Sequence, residues 1–341
     1  SSVANGSGSF ASYSSTATGV DSTATNYSNA TGTGSYANNG SNAMGTNSTA
    51  LNYSNATGTG SYANNYSTAT GNGSSANNYS NATGAYSTAD NSSVAAGNYS
   101  TATGNYSVAV GNGSSATGNV STAVGAYASA SGKYATAVGA YRFANAYSTA
   151  VGGYSLAVTN STATGYYSTA AFDSTATGNN STALFDSTAN GSGAQAFYSS
   201  TATGSGSYAY SASSAVGNNS FALYSSNAVG YSSTAALGSN AIGNYSTAVF
   251  GSNAVGNYSS ATGTYSVAMG NGSTADSAYS TAVGAYSSAT NTSATALGAY
   301  SVASGVNSTA SGANAQATFD GATTTGANSL AGNTNTTANG V

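Results

Sequence analysis

Asn105-Tyr106-Ser107-Val108-Ala109-Val110-Gly111 runs directly into Asn112-Gly113-Ser114-Ser115-Ala116-Thr117-Gly118, and both halves carry one pattern, Ser-x-Ala-x-Gly, seven residues apart. The same unit recurs outward in both directions, for example at Ser15 to Gly19 and Ser280 to Gly284. Self-similarity at so short a period is the signature of a repeat architecture. Indexed on alanine, two series interleave. One runs Ala4, Ala17, Ala30, Ala43 to Ala310, the other Ala11, Ala24, Ala37 to Ala317. In the second series the period is 13 from Ala11 to Ala102, 14 to Ala144, 13 again to Ala261 and 14 to Ala317. No unrelated segment interrupts the series, so the economical reading is one all-β parallel β-solenoid, a β-roll of about 24 coils. Residues 1–318 form that single domain in this reading, and 319–341 an irregular polar tail or cap. At about 4.8 Å per turn such a stack is a rod near ~115 Å long.

Side chains alternate along a strand, so Ser, Ala and Gly share one side and the two x residues the other. The constant side carries only small residues, which places Ser and Ala inside a thin two-sheet coil and the x residues outside. Arg142 falls in an inward Ser slot and is the exception. After each first-series Ala the corner is Gly, as at Gly19, Gly45, Gly152 and Gly312, which suits positive φ or close approach of stacked backbones. After each second-series Ala the corner changes along the chain. It is an Asn column at Asn26, Asn39, Asn52, Asn65, Asn78 and Asn91, then Gly, then largely apolar at Phe172, Phe185, Tyr198, Tyr224, Leu237 and Phe250. Identical residues stacked turn on turn predict amide and aromatic ladders. Tyr53, Tyr66 and Tyr79 predict one shorter ring column, and Tyr127, Tyr141, Tyr154 and Tyr167 another.

Composition excludes most other classes. Val, Leu, Ile and Phe make up only 35 of 341 residues, yet the chain has just eight charged residues, net charge −4. An oily core is excluded by the first figure, and a charge-expanded disordered chain by the second. His, Cys, Glu, Pro and Trp are absent, which removes the usual general bases, soft metal ligands and any disulfide or zinc site. No enzyme and no cofactor is expected. No basic patch is available for nucleic acid, and no apolar run approaches the roughly 18 residues that cross a membrane as a helix. The six Asp never cluster in sequence, so no calcium site is expected. Lys133 and Arg142 read as isolated surface or corner charges.

The quoted stretch resembles the head of trimeric autotransporter adhesins of the YadA type, whose repeat, roughly Asn-Ser-Val-Ala-Ile-Gly followed by x-x-Ser-x-Ala-x-Gly, it matches closely. Ala95 to Ala144 and Ala261 to Ala310 carry that family's 14-residue period. The resemblance implies a left-handed roll, a cell-surface location, and apolar x residues meeting at a threefold axis. That role would fall to Val108, Val110, Val124, Val138 and Val151, extended by Val216, Val229, Ile242, Val255, Val267, Met269, Val283 and Leu297.

The expected function is a non-enzymatic, extracellular structural or adhesive fibre that self-assembles as a filament or homotrimer, with host or matrix glycans or proteins as partners. The competing reading is an ice-binding solenoid, from Thr pairs such as Thr16 and Thr18, Thr68 and Thr70, and Thr201 and Thr203. Candidate N-glycosylation sequons stand at Asn26, Asn52, Asn65, Asn78, Asn98, Asn105, Asn244 and Asn257.

Overall fold

A computed structural model describes residues 1–340. It contains 51 short strands, each of two or three residues, and no helix among the described residues. Two compact units, Ser1–Phe172 and Asp173–Val341, carry them. The first unit holds strands from Val3–Asn5 to Thr169–Ala171, and the second holds those from Thr175–Thr177 to Thr337–Asn339. Within each unit odd-numbered strands stack in one parallel sheet, here the first sheet, and even-numbered strands in the second. The fold is an all-β parallel solenoid of about 26 turns.

Pairing is in register throughout, alanine on alanine. Ala4 faces Ala17, Ala17 faces Ala30, and in the other sheet Ala50 faces Ala63 and Ala63 faces Ala76. From Ala17 to Ala331 the Ala columns are buried and the Ser columns almost fully so, whereas the flanking x residues face outward; in the end turns Ala4 is exposed and Ala11 and Ala338 are half-buried. The interior is therefore built of methyl and hydroxyl groups. Cohesion rests on the continuous backbone ladder, at roughly 0.5–1.5 kcal/mol net per bond.

The two corners differ in physics as well as sequence. The corner leaving the first sheet has seven residues from Ser to Ser, and it turns on a glycine such as Gly45, φ 135°. A Cβ built there would lie 2.5 Å from the carbonyl oxygen of Gly58, so stacked backbones as well as φ demand glycine. In the 13-residue turns the corner leaving the second sheet is one residue shorter. It closes with two consecutive left-handed residues, for example Asn52 (φ 54°) and Tyr53 (φ 61°), or Phe185 (φ 59°) and Asp186 (φ 56°), except before Ser148, where Tyr147 alone is left-handed. Left-handed backbone costs roughly 1–2 kcal/mol for an L residue, so the tight corner must be stabilised by its neighbours.

Serine is the first of these devices. After a wide corner the next inward residue donates its N–H to the carbonyl three residues back, and there alanine can replace serine: Ala128, Ala135, Ala194, Ala294, Ala315 and Ala322 all bond this way. After most tight corners the N–H goes instead to a serine hydroxyl of the turn before; at Ser148, where the preceding slot is Ala135, it goes to the Asn145 carbonyl at 3.0 Å. Ser28 donates to Ser15 Oγ at 3.1 Å, Ser80 to Ser67 Oγ at 3.2 Å, and Ser239 to Ser226 Oγ at 3.1 Å. Every tight corner is followed by serine, from Ser15 to Ser93 and again from Ser148 to Ser252.

Past Phe319, where an irregular polar tail is expected, the strands Thr323–Thr325, Leu330–Ala331 and Thr337–Asn339 continue both sheets in register. This accounts for the turns beyond the expected 24. The alanine series hides them because Thr324 takes the inward slot opposite Ala310, fully buried and with its hydroxyl unpartnered. Val341, the end of that expected tail, lies outside the described residues.

Candidate interaction surfaces

The outward position after each first-sheet alanine builds an aliphatic stripe. In the first unit Val110, Val124, Val138 and Val151 face one another in successive turns. In the second unit seven consecutive turns place Val216, Val229, Ile242, Val255, Met269, Val283 and Leu297 in one column. Ile242 and Met269 remain 44% and 45% exposed, high for side chains of this kind standing in a row. Val108 and Val267 do not join it. They stand on the outward column before the alanine, paired with Val94 and Thr122, and with Asn253 and Thr281. Beside the second-unit stripe runs an amide ladder in which Asn227 Nδ2 donates to Asn240 Oδ1 and Asn240 Nδ2 to Asn253 Oδ1, both at 2.8 Å.

A second apolar column escaped the sequence reading. Leu184, Phe197, Tyr210, Leu223, Ala236 and Val249 align in the second sheet of the second unit. Applying the same rule, the residue after alanine, to the second series would have found it.

The corner columns stack as hydrogen-bonded and aromatic ladders. Asn26, Asn39, Asn52 and Asn65 each donate Nδ2 to the Oδ1 of the next column member at 3.0–3.1 Å, and Asn78 donates to Asn91 at 3.4 Å. All six hold left-handed φ, a region asparagine tolerates better than most residues. Phe185 and Tyr198 stack with centroids 4.9 Å apart. Ser211 then interrupts the column, and Tyr210 bridges the gap edge-on, 5.3 Å from Tyr198 and 5.7 Å from Tyr224. Phe172 closes the first unit, and Phe250 lies beside Leu237 and Tyr265 in a shallow recess over Gly238 and Gly251. Tyr53, Tyr66 and Tyr79 stack at 5.2 Å, and Tyr127, Tyr141, Tyr154 and Tyr167 at 4.9–5.3 Å. The Tyr166 hydroxyl is held above its usual pKa by its hydrogen bond with Tyr167, and Tyr245 is pushed up first by desolvation and then by Tyr231.

The ladder bears on the sequons. The Nδ2 atoms of Asn26, Asn52, Asn65 and Asn78, to which a glycan would be joined, each donate along the column. Asn98, Asn244 and Asn257 use Oδ1 to accept a corner N–H from the preceding turn, and Asn105 is exposed at its corner.

The two cations part company. Lys133 Nζ lies 5.0 Å over the Tyr134 ring. Arg142, expected as a surface or corner charge, is instead buried at 4% exposure, because its slot points into the coil. Its Nε and Nη1 have no partner, its guanidinium packs under Gly139, and burial lowers its pKa. Among the described residues no three Asp gather as a metal site.

The family model for the YadA head domain repeat matches residues 91–114, 116–141, 172–184, 250–273, 261–287, 275–301, 289–315 and 303–329. These segments are similar to YadA head domain repeats. Their distribution follows the geometry. Apart from 172–184, the matches fall on the stretches with 14-residue turns and wide corners, while most 13-residue turns lie outside them. The wide-cornered turns are thus the ones similar to the YadA head repeat, and the tight-cornered turns are one residue shorter. No curated protein matches the chain.

Proposed function

We propose that the chain is a non-enzymatic segment of an extracellular adhesive or structural fibre that self-associates, as a homotrimer or filament, through the aliphatic stripe of its first sheet. The observation that carries this reading is the column Val216 to Leu297, seven outward apolar side chains in register, five of them exposed and Val255 and Val283 half-buried, part of it within YadA head repeats. Covering one half-exposed aliphatic side chain contributes on the order of 1 kcal/mol. Seven give about 7 kcal/mol, comparable to the estimated 4–15 kcal/mol cost of association, so assembly is expected to depend on concentration. The neighbouring Asn ladder would set the register between chains.

Ice binding has less support. The pairs Thr16 and Thr18, Thr68 and Thr70, Thr162 and Thr164, Thr175 and Thr177, and Thr201 and Thr203 lie on the first sheet, but Asn29, Asn42 and Asn55 and the stripe itself break the grid. Negative-stain electron microscopy across a concentration series, with thermal hysteresis on the same samples, separates the two. Assemblies without hysteresis support the adhesive fibre. Dispersed single chains that shape ice would replace it with the ice-binding reading.

A further inference from the structure

The ladder of Tyr53, Tyr66 and Tyr79 and the ladder from Asn26 to Asn91 are interrupted in adjacent turns, the rings at Ser92 and the amides at Gly104. Tyr53, Tyr66 and Tyr79 stack at 5.2 Å with planes within 13° of one another, all on left-handed backbone. The next turn holds Ser92 in the same conformation, φ 61°, and the ring returns at Tyr106, φ 58°. Ser92 thus leaves a gap of one ring between Tyr79 and Tyr106, as Gly40 does between Tyr27 and Tyr53 and Val120 between Tyr106 and Tyr134. Two turn spacings of about 4.8 Å separate the flanking rings along the stack, the separation that one intervening flat ring fills. Tyr79 and Tyr106 are 66% and 69% exposed, against 55% for Tyr66, which has a ring on either side.

The amide ladder ends at the adjacent turn. Asn78 reaches Asn91 only at 3.4 Å and turns partly to Asp90 Oδ1 at 3.2 Å. In the following turn the column position is Gly104, so the Nδ2 of Asn91 has no further rung to donate to. Here the turns widen from 13 to 14 residues, which brings in the extra corner residue Asn105. The result is a recess of about 220 Å³ lined by Asn78, Tyr79, Asn91, Ser92, Asn105 and Tyr106. That is far more than the ~30 Å³ share of one water and below the roughly 300 Å³ at which drug-sized sites begin, so it has room for one ring.

We infer that this recess is a binding site for a single neutral pyranose sugar, seated between Tyr79 and Tyr106 in place of the missing rung. Tyrosine faces offer the electron-rich surface against which the C–H faces of a sugar pack. The amides of Asn91 and Asn105 and the Ser92 hydroxyl meet its ring edge, where hydroxyl groups need both donors and acceptors. A bare aromatic ligand would leave these polar groups unmatched. The Asp90 carboxylate, hydrogen-bonded to Asn78 of the lining, disfavours acidic sugars. The site lies within one chain and stands independently of the self-association proposed above.

The test is saturation-transfer NMR on the full chain with methyl glucoside, methyl galactoside and methyl N-acetylglucosaminide, with methyl glucuronide and N-acetyltyrosinamide as contrasts. Binding of at least one neutral glycoside with a Kd on the order of millimolar is expected, at least tenfold tighter than the glucuronide. Ser92→Tyr supplies the missing ring. It should keep the fold, by circular dichroism and melting temperature, and reduce sugar binding at least tenfold, whereas Ser92→Ala should reduce it less than threefold. No transfer to any neutral glycoside, or unchanged binding by S92Y, would overturn the site. Preference for N-acetyltyrosinamide would overturn its assignment to sugar.

Discussion

At the scale of single residues, the inward serines are not interchangeable. The Ser67 hydroxyl accepts the Ser80 N–H behind a tight corner, whereas Ser121 stands behind a wide one with its own hydroxyl unpartnered. Leaving a buried N–H unpaired costs about 1–3 kcal/mol, and in a repeat stack that cost is felt locally. Ser67→Ala should therefore speed amide hydrogen exchange at Ser80 at least ~10-fold, the equivalent of about 1.4 kcal/mol, while Ser121→Ala leaves exchange in its neighbouring turns unchanged or slower. Arg142 makes the opposite case, an unpaired charge in a slot sized for serine. Its folded-state pKa is lowered, so the charged form opposes folding at every pH below that value. Since a guanidinium stays protonated throughout the accessible range, Arg142→Ser should raise the melting temperature, and by the same amount at pH 5 and pH 9. A gain confined to one end of that range would contradict the assignment.

At the scale of the element, the corner decides what the sequence makes legible. The wide corner announces itself through glycine. So do the inward Ser and Ala columns, because in-register stacking puts the same residue in the same place each turn. The tight corner is harder to read, since Tyr and Phe there occupy a backbone region they ordinarily avoid, and only the missing residue in the period betrays it. Thr324 and Arg142 were illegible in consequence for a related reason: each breaks an inward column, and the pattern alone does not say whether the chain will bury the intruder or end there. The interaction surfaces were half legible. The first-sheet stripe followed from the x positions, whereas the second-sheet column from Leu184 to Val249 was overlooked, and Val108 and Val267 were grouped with a column they do not share. The Asn ladder can be tested apart from its backbone. Asn52→Ala loses the amide bonds and also puts a Cβ-bearing residue without a compensating side chain at φ 54°. Asn52→Gly loses the bonds but relieves φ. Local stability, read by hydrogen exchange at Tyr66, should fall further for alanine, by about 1 kcal/mol. Equal losses would mean that the amide alone matters.

At the scale of the whole molecule, the chain folds with scarcely any of the groups that usually give a protein its chemistry, and what it offers instead is repetition. Each turn adds the same increments of backbone bonding, buried methyl and corner stacking, so surfaces of one residue type extend over many turns. The aliphatic stripe is the longest apolar example on the first sheet, and the account stands or falls on whether that stripe joins chains. Sedimentation equilibrium of the wild-type chain and of Val229→Thr/Ile242→Thr/Val255→Thr, measured side by side over a concentration series, tests this most directly. Threonine preserves the β-branched shape on an outward strand position while making the stripe polar, so the fold is expected to survive, as circular dichroism would show. The account predicts a wild-type mass that climbs with concentration to a multiple of 32.5 kDa and a substituted chain that stays at the single-chain mass. A wild-type chain that remains single at every concentration, or a substituted chain that assembles as the wild type does, would contradict it.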